Sequence, residues 1–144
     1  MTLVSSRRTF LLSAVVCLAA CRRAAAQERC AQCGMVVDPK SPFRVEVTRD
    51  GIAQPYDTPR CALTSLRTGA AGGSVRVQEF YSRTPVDANA VRFVAGSDVD
   101  GPMGAELVPV APDKVDKFVR DHRGPRTYRL DELTLDVLKK EGAP

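Results

Sequence analysis

The chain has 144 residues, a formal net charge of +4, 44% hydrophobic residues and 26% charged residues. That is the make-up of one ordinary globular domain or two very small ones, neither disordered nor collagen-like. With no Trp, one His and three Met (one of them Met1), few side chains can carry chemistry, which speaks against most enzyme classes.

Residues 1–21 read as an address. Ser6-Arg7-Arg8-Thr9-Phe10-Leu11 leads into an apolar run from Phe10 to Ala20. The run is too short to span a bilayer, which takes roughly 20 apolar residues, but it suits the central segment of a signal peptide. The paired arginines followed by Phe-Leu have the form of a twin-arginine export signal. Leu18-Ala19-Ala20-Cys21 has the form of a lipobox, in which Cys21 is lipidated through sulfur and becomes the new N-terminus. The plainer reading of Cys17 and Cys21 is two small apolar residues in a discarded signal. Without residues 1–21 the chain keeps 19 basic and 17 acidic side chains, a net +2. That is too weak and scattered a charge for nucleic acid or a polybasic membrane surface. No second apolar stretch follows, so the expected product is lipid-anchored, does not span the membrane and acts outside the cytoplasm.

Residues 22–29 read as a tether, after which Cys30-Ala31-Gln32-Cys33-Gly34-Met35 opens the folded part. Arg44-Val45-Glu46-Val47-Thr48 alternates and is β-branched, the pattern of a half-buried strand. Asp50-Gly51 is a hairpin signal, with residues 52–56 as the returning strand. Thr58-Pro59 forms an N-cap with Pro at the first helical position, placing Cys61, Ala62, Leu63 and Leu66 along one side of a short helix. A Gly- and Ala-rich loop over 69–73 precedes a strand over 75–81.

The second half follows the same order. A strand over 91–95, a turn over 100–104 and a strand over 106–110 lead to Pro112-Asp113, which opens a helix. Val115, Phe118, Val119 and His122 recur on that helix at helical spacing. Gly124-Pro125 is expected to stop it, with a last strand over 127–130 and a short helix over 131–139. The expected fold class is therefore α+β: two pseudo-repeated units of strand, strand, helix, strand, over 30–84 and 85–144.

The Cys-x-x-Cys of Cys30 and Cys33 admits several chemistries. A redox dithiol sits at a helix N-terminus, whereas Gly34, two β-branched valines and Pro39 make a poor helix start. A structural zinc site needs four ligands, for which Cys30, Cys33, Cys61 and His122 are on offer at a spacing unlike common zinc modules. Export permits a disulfide among Cys30, Cys33 and Cys61, with one thiol left over. Cys61 also suits a small buried position on its helix. Met35 and Met103 both lie outside apolar runs, Met103 within Gly101-Pro102-Met103-Gly104. Either they fill gaps or, joined with a thiolate, they form the soft donor set that selects Cu(I). His122, near a helix C-terminus, suits the helix dipole as well as it suits a metal. Asp57, Glu79, Asp87 and Asp98 show no pairing that suggests acid–base work.

These features together resemble the NosL family, the lipoproteins that accompany nitrous oxide reductase and supply it with copper. The resemblance runs from Cys30 to about Val137. It is carried by Cys33-Gly34-Met35-Val36-Val37-Asp38, Tyr56-Asp57-Thr58-Pro59-Arg60-Cys61, residues 101–109 and the helix ending at His122. It implies two ββαβ units and a Cu(I) metallochaperone rather than an enzyme, with a client such as nitrous oxide reductase and a membrane anchor at Cys21. It also implies Cys33, Met103 and Met35 as copper ligands, with Cys30, Cys61 and His122 as further candidates. The rival reading is an assembly lipoprotein whose cysteines form a structural disulfide and whose methionines are packing.

Overall fold

The computed structural model describes residues 27–69 and 72–142. The export signal, the lipobox with Cys21 and the first part of the tether lie outside the described residues, among which no helix is long and apolar enough to cross a membrane.

The first half is built on β1 (Val45–Arg49), β2 (Ile52–Tyr56), the helix α1 (Pro59–Thr68) and β3 (Ser74–Gln78), with a short β4 (Pro85–Asp87) added at the edge. All pairings are antiparallel, in the order β2-β1-β3-β4. Asp50 and Gly51 both take positive φ (49° and 76°), the twist that a two-residue hairpin needs. Alternation places Val45 and Val47 opposite Val77 and Val75, all four buried, on the sheet face that packs against Ala62 and Leu63 of α1. The Thr58 side chain accepts the Cys61 amide, so α1 starts where its N-cap and Pro59 predict.

The second half repeats the topology with β5 (Arg92–Ser97), a small hairpin of β6 (Asp100–Gly101) and β7 (Gly104–Ala105), then β8 (Val108–Val110), the helix α2 (Val115–His122) and β9 (Arg123–Tyr128). Its sheet order, β8-β5-β9, matches β2-β1-β3: in both, the first strand lies in the middle. The two ββαβ units thus share both element order and strand order. They also share a core, because Phe93, Ala95, Leu107, Leu133 and Leu138 pack in one cluster with Val45, Tyr56 and Leu63. A smaller cluster of Phe43, Val94, Val108, Val110 and Phe118 lies beside it.

Five expected boundaries move, each for a visible reason. The strand over 75–81 ends at Gln78, because the buried Glu79 carboxylate gathers the Tyr81, Ser82 and Ala111 amides and turns the chain. Residues 106 and 107 leave their strand because Glu106 folds back to accept the Leu107 amide. Gly124-Pro125 does not interrupt the last strand but lies within β9. There Gly124 has φ 94°, and a Cβ would stand 2.5 Å from Val94 Cγ1, so only glycine lets β9 approach β5. The helix over 131–139 divides into a single 3₁₀ turn over 130–132 and α3 (Leu135–Glu141), with Leu133 buried between them and Thr134 as N-cap. Residues 28 and 29, expected in the tether, are already structured: Arg29 bridges to Val36, and the Val37 amide donates to Glu28 O.

The C-terminal helix is locked down by Glu141, whose buried carboxylate accepts from Arg126 (2.6 and 2.7 Å) and from Tyr128 Oη (2.8 Å). Burial works against its ionised form, yet these donors hold its pKa below the ordinary value. A depressed acid pKa contributes stability above the ordinary glutamate value of about 4.3 and loses it as pH falls through the lower folded-state value. Glu141→Gln is therefore expected to unfold at lower urea than the parent at pH 7, with the difference closing as pH drops below about 4. Urea titrations followed by circular dichroism at pH 7, 5 and 3 check this. A gap that persists unchanged at pH 3 would contradict it.

Candidate metal centre

Residues 29–37 fold back on themselves to present two cysteines. The Cys30 amide donates to Met35 O (2.8 Å), the Gly34 amide donates to Cys30 O (2.9 Å), and Gly34 makes the turn at φ 76°. The Ala31 amide donates to Pro55 O (3.1 Å), which ties this loop to β2 just ahead of Asp57. Asp57 and Thr58 then join β2 to α1, and Cys61 follows one helical turn on. Three short segments thereby converge. The thiols of Cys30, Cys33 and Cys61 and a carboxylate oxygen of Asp57 all lie within 4.8 Å of one another.

The four groups differ in access. Cys30, Asp57 and Cys61 are buried (Asp57 is 3% exposed), whereas Cys33 faces solvent, and all three cysteines are free thiols. Cys33 Sγ donates to Asp57 Oδ2 at 3.4 Å. Burial disfavours the Asp57 charge, but hydrogen bonds from the Cys30, Cys61 and Cys33 thiols keep its pKa below the usual carboxylate value. The thiols respond oppositely. Burial first, and then the Asp57 hydrogen bond, pushes the Cys61 pKa far up. Burial and a hydrogen bond to Cys30 also raise Cys33, partly offset by the Met35 amide. At neutral pH the site therefore sets the protonated thiols of Cys33 and Cys61 beside an ionised Asp57 carboxylate. A metal ion that binds the thiolates must displace those protons, so affinity rises with pH.

A cavity opens over the cluster, lined by Cys33, Cys61, Thr58, Arg60, Met103 and Glu106 among others. The structure thus brings Met103, in the turn between β6 and β7 and 57% exposed, to the same opening as Cys33 and Cys61. The Met35 side chain, on the Cys30–Cys33 loop, is also exposed. His122 lies elsewhere. Its ring packs against Phe118 and Phe80 (centroids 4.9 and 5.5 Å away), and its Nδ1 is 3.1 Å from Asp98. The fourth group of the cluster is Asp57, which shows no pairing with another carboxylate in the sequence and so does not stand out there. Its position four residues before Cys61, at the strand-to-helix junction, was the available signal.

A family model for NosL matches residues 22–138. The chain belongs to the NosL family. Among solved structures it is similar to the copper chaperone NosL from Shewanella denitrificans, with TM-score 0.66 and 21% identity, covering 76% of this chain and 91% of that one. That likeness concerns the fold. No curated protein matches the chain.

Access orders the reactivity of the three thiols in this NosL-family site. In the folded, reduced, metal-free protein, iodoacetamide is expected to modify Cys33 well before Cys30 or Cys61, which should react only on unfolding. Peptide mass spectrometry over time checks the order. Modification of Cys61 at the rate of Cys33 would show that the buried arrangement is wrong.

Proposed function

We propose that this chain is a Cu(I) metallochaperone, exported and held at the membrane through a lipid on Cys21, that hands copper to nitrous oxide reductase or a related exported cuproprotein. The observation that carries the reading is the convergence of three thiols beneath an opening that a methionine lines. Thiolate and thioether donors are soft and favour Cu(I) over hard divalent ions. Membership of the NosL family, and a neighbour described as a copper chaperone, support the same cargo.

The arrangement suits a carrier. Cys30 and Cys61 supply sulfur from the protected side, and Cys33 and Met103 supply it at the solvent side, where an acceptor can approach. Met35 is the further thioether on the same loop as Cys33. Asp57 offers a hard oxygen of little attraction for Cu(I), so its part is to accept hydrogen bonds from the thiols and hold them converged until metal replaces their protons. Transfer is ligand exchange: sulfurs of the acceptor bind at the open side as Cys33 and Met103 let go, with no change in the oxidation state of copper.

Anaerobic titration of the reduced protein with Cu(I) against a chromophoric chelator tests this. One Cu(I) per chain is expected. Cys33→Ser and Cys61→Ser should weaken binding beyond the roughly 10- to 100-fold typical of losing an outer partner, and Asp57→Asn should fall within that range. Failure of the parent protein to compete with the chelator would overturn the proposal.

A further inference from the structure

The hairpin that carries Met103 is a poor platform on its own. β6 and β7 have two residues each, paired only as Asp100 with Ala105 and Gly101 with Gly104. A two-stranded ribbon of ordinary length is already marginal in water, and this one is far shorter. Pro102, Met103, Gly104 and Ala105 are all exposed, so burial does little to fix the tip. Beyond the packing of β7 beside β5, the hydrogen bonds that tie it to another element among the described residues run to the first turn of α1.

Arg60 makes those ties. Its backbone amide donates to Glu106 Oε1 (3.2 Å), its guanidinium donates to Ala105 O, and a further N–H reaches Glu141 O in α3 (3.3 Å). Glu106 is buried beneath the hairpin, and a Cβ on Gly101 would sit 3.1 Å from Glu106 Cβ and Cγ, so the ribbon rests directly on this side chain. Oε1 of Glu106 also accepts the Leu107 amide (2.9 Å), which fixes the chain as it leaves the hairpin. Arg60 therefore holds the Met103 hairpin at two successive residues, by its guanidinium at the Ala105 carbonyl and by its backbone amide at the Glu106 carboxylate. It is also the residue immediately before Cys61, and it lines the same cavity as Cys33, Cys61 and Met103.

We infer that Arg60 is a positioning residue for the metal centre, which couples the helix bearing Cys61 to the hairpin bearing Met103 so that the thioether stands over the thiols. Guanidinium has donors and no free lone pair, so Arg60 cannot itself be a ligand and acts only through where it puts Met103. One guanidinium nitrogen, Nη2, donates to both Ala105 O and Glu141 O, so a single side-chain end ties the hairpin to α3. The inference rests on the Cu(I) reading above and adds that the solvent-side ligand is placed by α1 rather than by its own turn.

A double-mutant cycle on Cu(I) release separates positioning from mere bolting together of the two halves. The full chain in detergent, loaded with Cu(I), is mixed with excess chelator, and the rate of transfer is compared for the parent, Arg60→Ala, Met103→Leu and the double variant. Leucine nearly conserves the methionine volume, so Met103→Leu tests the sulfur and not the packing. Each single variant is expected to release copper about tenfold faster, and the double variant no faster than Met103→Leu alone, because Arg60 has nothing left to position. Arg60→Lys should recover part of the retention. Multiplying effects in the double variant, or an unchanged rate in Arg60→Ala, would overturn the inference. If circular dichroism shows Arg60→Ala unfolded, the same cycle run with Arg60→Lys decides the matter by the same criterion. A parent protein that holds no Cu(I) would fail the chaperone reading first, and that result is distinct from a parent that binds copper with no coupling between Arg60 and Met103.

Discussion

A carboxylate as deeply buried as that of Asp57 needs compensation, because an ionised group taken from water is costly unless donors surround it. Here the Cys33 thiol donates to Oδ2 while the buried Oδ1 has no hydrogen-bond partner, and the rest of the site is built around that carboxylate. Asp57 occupies the junction between β2 and α1, the Cys30–Cys33 loop is tied to β2 through Pro55, and the first turn of α1 delivers Cys61. The three sulfurs are gathered beside this carboxylate, which favours the protonated form of Cys33 and Cys61. The pocket is thereby preorganised without closely spaced thiolate charges repelling one another in the metal-free state.

The duplicated ββαβ plan divides the labour. The first unit supplies the thiols and the carboxylate, and the second supplies the methionine hairpin that overhangs them. The halves are joined in one interior, since residues of both pack in the larger cluster. The contacts of Glu79 with Ala111 and of Arg60 with Ala105, Glu106 and Glu141 join the halves at polar points around that shared interior. The cavity over the site lies at that joint, lined by Cys33 and Cys61 from the first unit and by Met103 and Glu106 from the second.

Much of this was legible in the residues. Alternating valines, Asp50-Gly51 and Thr58-Pro59 mark β1, β2 and α1 because each is a local signal with a local cause. The extra edge strand β4, the run of β9 through Gly124-Pro125 and the division of the last helix were not, since each depends on a partner distant in sequence: Arg76 and Val77 opposite β4, Val94 beneath Gly124, and the core that takes Leu133. The thiols and methionines stood out by their scarcity. Asp57 did not, because 17 acidic residues hide one another and only the fold brings it to the cysteines. His122 drew notice as the single histidine, yet its neighbours are two aromatic rings and Asp98.

Copper K-edge X-ray absorption on the Cu(I)-loaded protein bears most directly on the convergence of Cys30, Cys33 and Cys61 into one copper site. A first coordination shell made of sulfur is expected, with fewer sulfur neighbours in Cys61→Ser than in the parent. A shell dominated by nitrogen or oxygen, or a spectrum unchanged by Cys61→Ser, would contradict it.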